Sequence, residues 1–207
     1  VTFEGFPMAA VDFYEDLEMN NTKAWWDEHK NVYRSAVVRP MRELTDALAD
    51  EFGEAKVFRP NRDLRFSHDK SPYKTHQGAY VSTAAGCGWY VQISADGLRT
   101  GGGFYRADGA ALARLRARID SDAGAELARL VVDLTADGWV LGGDTLTTAP
   151  RGFDRNHPRI DLLRHKSLSV GRRVDDEAMV SAAALEHVRA DWNAVRPLVD
   201  WLTETLR

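Results

Sequence analysis

A chain of 207 residues with 44% hydrophobic and 28% charged side chains has the composition of a globular protein large enough to bury a core. That composition excludes disorder, a collagen-like repeat and a disulfide scaffold, and a single cysteine, Cys87, excludes an intramolecular disulfide or a CxxC metal or redox site. The net charge of −4 conceals two basic islands: residues 56–76 carry six cations against two carboxylates (+4), residues 151–173 carry seven against two (+5), and the rest of the chain sums to −13.

Pro7 is placed to open a helix in which Ala10, Phe13, Tyr14 and Leu17 share a face. Asn20-Asn21 is expected to end it and cap a second helix, carrying Trp25, Trp26, His29, Val32, Tyr33 and Ala36 as far as Pro40, where the missing N–H predicts a break or kink. Met41, Leu44, Leu48 and Phe52 mark a third helix closed by Gly53. The period then becomes extended, with strands expected at 56–59, 77–83, 88–95 and 98–104, and with tight turns at Gly86-Cys87-Gly88 and Asp96-Gly97. Helical spacing returns at Leu112, Leu115 and Ile119, and again from Leu127 to Leu134 before Gly138.

Short extended pieces follow at 139–141, 145–148 and 167–172, with a helical turn opened by Pro158. Leu185, Val188, Trp192, Val195, Val199, Leu202 and Leu206 form the apolar stripe of a long C-terminal helix, read as packing on the core rather than as a coiled coil. The pattern predicts one α+β domain over residues 1–207, a mainly antiparallel sheet covered by N-terminal and C-terminal helices. Apolar runs are short and the N-terminus carries no secretion-signal pattern, so a cytoplasmic setting without membrane contact is expected.

The chemistry concentrates in residues 58–75, where Arg59, Arg62, Arg65, Lys70 and Lys74 recur among aromatic and hydroxyl side chains. If Asp63–Phe66 is extended, Asp63 and Arg65 point to one side while Leu64 and Phe66 point into the core. A guanidinium anchored in that way presents a planar fork suited to phosphate or carboxylate. Ser67, Ser71, Tyr73 and Thr75 add neutral donors, Pro72 stiffens the loop, and Asp63 is the candidate general base. The competing expectation is a lattice of Arg–Asp and Lys–Asp pairs that pins the loop. The Ser67-xx-Lys70 and Ser71-xx-Lys74 spacings match the SxxK pattern, but Pro72 and the extended character oppose a serine nucleophile at a helix start. Six histidines include no HExxH, so no metal site is assigned.

On these residues the chain resembles the uncharacterised conserved proteins grouped as domain of unknown function 2461. The resemblance runs through Phe3-Glu-Gly5-Phe6, Asn20-Asn21-Thr-Lys23, Trp25-Trp26, His29-Lys30 and Tyr33, then Arg62-Asp63-Leu-Arg65-Phe66-Ser67 and Asp69-Lys70-Ser-Pro72-Tyr73-Lys74. It continues with Gly101-Gly102-Gly103, Pro150-Arg151-Gly152, His157-Pro158, Lys166, Pro197-Leu198 and Trp201-Leu202. It implies a compact α+β domain and soluble bacterial or fungal relatives, and carries no activity to transfer. His68 stands where a family member is expected to have lysine.

The glycine triplet follows a predicted strand, where Gly102 offers either bare backbone N–H groups for an anion or close packing beneath a neighbour. Arg151, His157 and Lys166 of the second island are proposed to join Arg62, Arg65 and Lys74 at one cationic pocket. The functional expectation is a binding site for a phosphate- or carboxylate-bearing small molecule, assembled from Arg62, Arg65, Ser67, Lys70, Tyr73, Lys74, Gly102, Arg151, His157 and Lys166. The alternatives are a nucleic-acid-binding module and a structural protein whose cations form internal ion pairs. Cofactor, reaction and oligomeric state stay open.

Overall fold

The computed structural model describes residues 2–63, 65 and 69–207. Helix α1 (Ala9–Met19) buries Ala10, Phe13, Tyr14 and Leu17, the face that the three- and four-residue spacing selects. Phe13 sits at the centre of an aromatic cluster, with the rings of Tyr14, Trp25, Trp26 and Tyr33 at 5.2, 5.3, 5.7 and 5.7 Å. Truncating such a buried ring costs about 3–5 kcal/mol in general. Trp25, Trp26 and Tyr33 therefore serve packing first.

Helix α2 (Lys23–Val32) is capped by Thr22 rather than by Asn20-Asn21: the Thr22 hydroxyl accepts from the Trp25 N–H at 3.3 Å. Asn21 is engaged elsewhere, donating to the Tyr73 carbonyl at 2.9 Å and accepting from the Tyr73 N–H at 3.1 Å. The expected break at Pro40 takes a particular form. A π-helical turn at Tyr33–Val38 joins α2 to α3 (Arg39–Phe52), and Pro40 lies in the first turn of α3. Proline lacks a donor and its ring crowds the preceding turn, and a wider turn just before it accommodates both. Gly53, at φ +100°, closes α3.

Strands β1 (Ala55–Val57), β2 (His76–Ala84), β3 (Cys87–Ser94) and β4 (Gly97–Phe104) follow, then helices α4 (Gly109–Asp120) and α5 (Gly124–Ala136), strand β5 (Val140–Gly142), helix α6 (Ile160–Arg164), strand β6 (Leu168–Arg173), helix α7 (Asp176–Met179) and helix α8 (Ala183–Leu206). The strands form one six-stranded sheet in the order β1-β2-β3-β4-β6-β5. At its edges β1 runs antiparallel to β2 with Lys56 opposite Tyr80, and β5 antiparallel to β6 with Leu141 opposite Val170. The two hairpin turns use Gly86 and Gly97 at φ +77° and +86°, a conformation that side chains with a Cβ rarely adopt. The fold is thus α+β, with an antiparallel sheet and helices from both ends of the chain, as the periodicity predicts.

The residues group into two compact units: Val1–Val81 with Tyr90–Thr100 and Arg173–Ala190, and Ser82–Trp89 with Gly101–Arg172 and Asp191–Arg207. The first unit holds the aromatic cluster and the first basic island. In the second, the α8 stripe is core: Trp192, Val195, Val199, Leu202 and Leu206 are buried. The Trp192 ring stacks on Trp89 at 6.3 Å and its carbonyl accepts the Trp89 indole N–H at 3.0 Å. Arg118 of α4 lies over the Trp201 ring at 4.5 Å, while half-buried Arg116 donates to the Leu163 carbonyl at 3.1 Å. Among the described residues no helix is long and apolar enough to cross a membrane.

Candidate functional site

The first basic island is a loop that folds back on itself. Asn61 bridges Tyr73 in antiparallel fashion, the Arg62 N–H donates to the Pro72 carbonyl at 2.9 Å, and the Lys74 N–H donates to the Pro60 carbonyl at 2.8 Å. Tyr73 is buried with its ring stacked on Trp26 at 4.0 Å, so it anchors the returning strand to α2. Arg62 pairs with Asp69 at 2.5 Å. The Arg65 fork closes on Asp63 through 3.0 and 2.7 Å hydrogen bonds while remaining 77% exposed. The Arg65 N–H also donates to Asp63 Oδ1 at 3.2 Å, a local bend, whereas Leu64, Phe66, Ser67 and His68 lie outside the described residues.

These pairings have titration consequences. The Arg65 side chain and N–H hold the Asp63 carboxyl far below the usual carboxylate range, which weakens Asp63 as a proton acceptor near neutrality. Hydrogen bonds from Ser71, helped by Arg62, lower Asp69. Burial, then the charges of Arg59 and Arg62, push Lys74 down. Its ammonium donates to the Arg59 carbonyl at 3.0 Å and lies 5.5 Å from the Phe58 ring centroid, so Lys74 braces the stretch Phe58–Arg59. Lys70 is exposed.

That braced stretch forms one wall of a recess of about 830 Å³ contained in the first unit. The π turn and α3 contribute Arg34, Arg39 and Arg42 to its lining, and Arg59 completes a set of four exposed guanidiniums. Arg39 meets Glu43 at 3.8 Å, an i, i+4 pair on α3 in which Arg39 is exposed and Glu43 half-buried. Among the described residues Arg34, Arg42 and Arg59 have no carboxylate within 4.0 Å. Val38, Val57, Phe58 and Pro60 supply apolar surface, and Glu43 and Asp46 supply the acidic lining. Tyr33 also lines the recess. Burial raises its phenol well above the ordinary value, against the opposing charge of Arg42, so it stays protonated and donates to Gln77 Oε1 at 2.5 Å. The Gln77 amide in turn donates to the carbonyls of Phe58 and Gly78 at 2.7 and 2.9 Å, which ties Tyr33 to the stretch that carries Phe58.

The second island is used differently. His157 sits 3.0 Å from Asp120 through Nε2 and accepts the Arg159 N–H through Nδ1 at 3.0 Å. The Arg159 guanidinium donates to the carbonyls of Ile119, Asp120 and Ser121 at 2.7, 2.9 and 3.0 Å, satisfying the C-terminal end of α4. Arg164 pairs with Asp161 at 3.2 Å, and Arg172 binds the buried Asp191 carboxylate while lying 4.5 Å from the Trp139 ring centroid. Arg151 is exposed in the turn closed by the Phe153 N–H on the Pro150 carbonyl, and Lys166 is exposed with its N–H on the Asp144 carbonyl. Gly102 is buried in β4, where an added Cβ would lie 2.9 Å from Val199 and 3.1 Å from Val195. Close packing beneath α8 is its structural role. Among the described residues no group of three or more His, Cys, Asp or Glu side chains is placed to hold a metal ion.

Residues 9–201 match the family model described as conserved hypothetical protein (DUF2461). The chain belongs to this family. No protein of curated function matches it. The DUF2461 span contains α2, the π turn, α3 and both basic islands, while the Phe3–Phe6 segment precedes it. Its description names no reaction, so function has to be read from the chemistry of the site. Arg34, Arg39 and Arg42 are the recess residues that sequence reasoning missed. Arg34 and Arg39 are five apart, about 140° around a regular α-helix. The π turn changes that, because the Arg39 N–H donates to the Arg34 carbonyl and brings the two positions into one line.

Proposed function

We propose that this protein binds a small organic anion, bearing phosphate or carboxylate, in the recess lined by Arg34, Arg39, Arg42 and Arg59. The observation that carries the reading is the presence, in the lining of one concavity, of three guanidiniums with no carboxylate within 4.0 Å among the described residues, Arg34, Arg42 and Arg59. All four guanidiniums are exposed, and like charges gathered on one concavity attract an anion to it. The volume of about 830 Å³ falls within the span of about 300–1,000 Å³ common for small-molecule sites. Lys74 and Arg62 act from behind, holding the loop that presents Arg59 and Phe58. A cytoplasmic setting, rich in phosphorylated and carboxylated metabolites, suits this role.

A thermal-shift series with phosphate, sulfate, nucleotides and sugar phosphates tests it. A ligand at 100 times its Kd stabilises the folded state by about 2.7 kcal/mol, a readily measured rise in Tm. Arg42→Ala should abolish the rise, and Arg65→Ala, whose fork is already closed on Asp63, should largely keep it. No stabilisation by any of these anions would contradict the reading.

A further inference from the structure

Resting on that reading of the recess, we propose that its ligand is a phosphomonoester carried on a planar ring, with the phosphoryl group between Arg34 and Arg42 and the ring against Phe58. Charge is the first argument. The lining holds four guanidiniums against the two carboxylates of Glu43 and Asp46, an excess of two positive charges. A carboxylate balances one of them, whereas a phosphomonoester carries about −1.5 to −2 at neutral pH. Its three terminal oxygens also take more than one guanidinium fork at once, and Arg34 of the π turn, Arg39 at the start of α3 and Arg42 one helical turn further on all line the recess.

The second argument is the apolar share of the lining. Beside its charged residues the recess is lined by Val38, Val57, Phe58 and Pro60, with Phe58 the one phenyl ring among them. Of the lining side chains, the Tyr33 hydroxyl is already taken by Gln77, whose amide donates to backbone carbonyls. A ligand complementary to such a recess has a dianionic head and an apolar, flat body. Inorganic phosphate satisfies only the first half. Phe58 is half-buried and held by the Lys74 ammonium 5.5 Å from its centroid, so the ring is positioned before a ligand arrives.

Titration calorimetry on the full chain with phenyl phosphate, inorganic phosphate, methyl phosphate and benzoate tests the assignment. Phenyl phosphate is expected to bind about tenfold more tightly than inorganic or methyl phosphate, the size of one aromatic stacking contact, and also more tightly than benzoate. Phe58→Leu should reduce that preference toward unity, and Arg42→Ala should weaken all four. Equal affinity for phenyl and inorganic phosphate, lost in Arg42→Ala, overturns the ring and leaves the anion site standing. Benzoate binding as tightly as phenyl phosphate overturns the phosphoryl assignment. Failure of every anion to bind overturns this inference and the underlying reading together. The wild-type comparison decides among these outcomes even if Phe58→Leu is poorly folded.

Discussion

The recess beside α3 and the segment around Arg159 and Arg172 are both rich in arginine, yet their arginines meet different surroundings. In the second region the guanidiniums are consumed by the fold: Arg159 binds three carbonyls at the end of α4, and Arg172 binds a buried carboxylate and an indole. In the recess Arg34, Arg42 and Arg59 have no such carboxylate partner among the described residues. Local charge in the sequence does not distinguish these uses: it marks residues 56–76 (+4) and 151–173 (+5) alike and takes in only Arg59 of the recess arginines. What distinguishes them is whether an oxygen from the same chain is already in place.

The sharpest way to break this contrast is Arg172→Met. Removing the partner of Asp191, whose side chain is only 5% exposed, leaves a buried carboxylate unpaired and should cost about 3 kcal/mol in urea denaturation. The double variant Arg172→Met/Asp191→Leu should recover much of that loss, because the uncompensated charge is gone. A single variant as stable as wild type would show that this arginine is not structural. Gly102→Ala is next. Its methyl would enter space held by Val195 and Val199, so an overpacking cost of about 1–2 kcal/mol is expected, with the anion-induced shift unchanged. A full-length thermal shift with no stability loss would instead leave the glycine available for another role.

The pH dependence is smaller and resolves the first island. Burial, then Lys74 and Arg62, lower the pKa of His76, so below about 6.5 the unfolded chain takes up this proton before the folded one does. Stability should therefore fall as the pH drops through 6.5 toward the folded value, and His76→Gln should flatten that slope. Asp63 and Asp69, both lowered in the folded state, contribute stability above the ordinary aspartate range near 4 and lose it below, a separate and more acidic window. An unchanged slope in His76→Gln would mean that His76 titrates as in the unfolded chain. The smallest effect on stability is expected at the proposed site itself: Arg34→Ala and Arg42→Ala should each change it by less than about 0.5 kcal/mol while removing the ligand response.

Much of the architecture was legible because short-range signals agree with the final topology. Asp96-Gly97 and Gly86 turn the β2–β3–β4 meander, and the α8 stripe announces its buried face by spacing alone. Two local expectations yield to tertiary structure: Thr22 caps α2 because Asn21 brackets Tyr73, and the helix passes through Pro40 because a π turn precedes it. The candidate site was legible only in part. Arg59, Lys74 and Tyr73 belong to the island that charge counting exposes, and Asp63 and Asp69 to the ion-pair lattice anticipated there. Arg34, Arg39 and Arg42 were not legible as one group, since a regular period of 3.6 residues sets Arg34 about 140° from Arg39 and a break was expected at Pro40 between Arg39 and Arg42. Ser67 lies outside the described residues.

A crystal structure of the protein grown with phenyl phosphate tests the central claim most directly. The account predicts phosphoryl oxygens within hydrogen-bond distance of the Arg34 and Arg42 guanidiniums, with the phenyl ring against Phe58. A recess left empty at saturating ligand, with the anion held instead by Arg151 and Lys166 or by nothing, would contradict it.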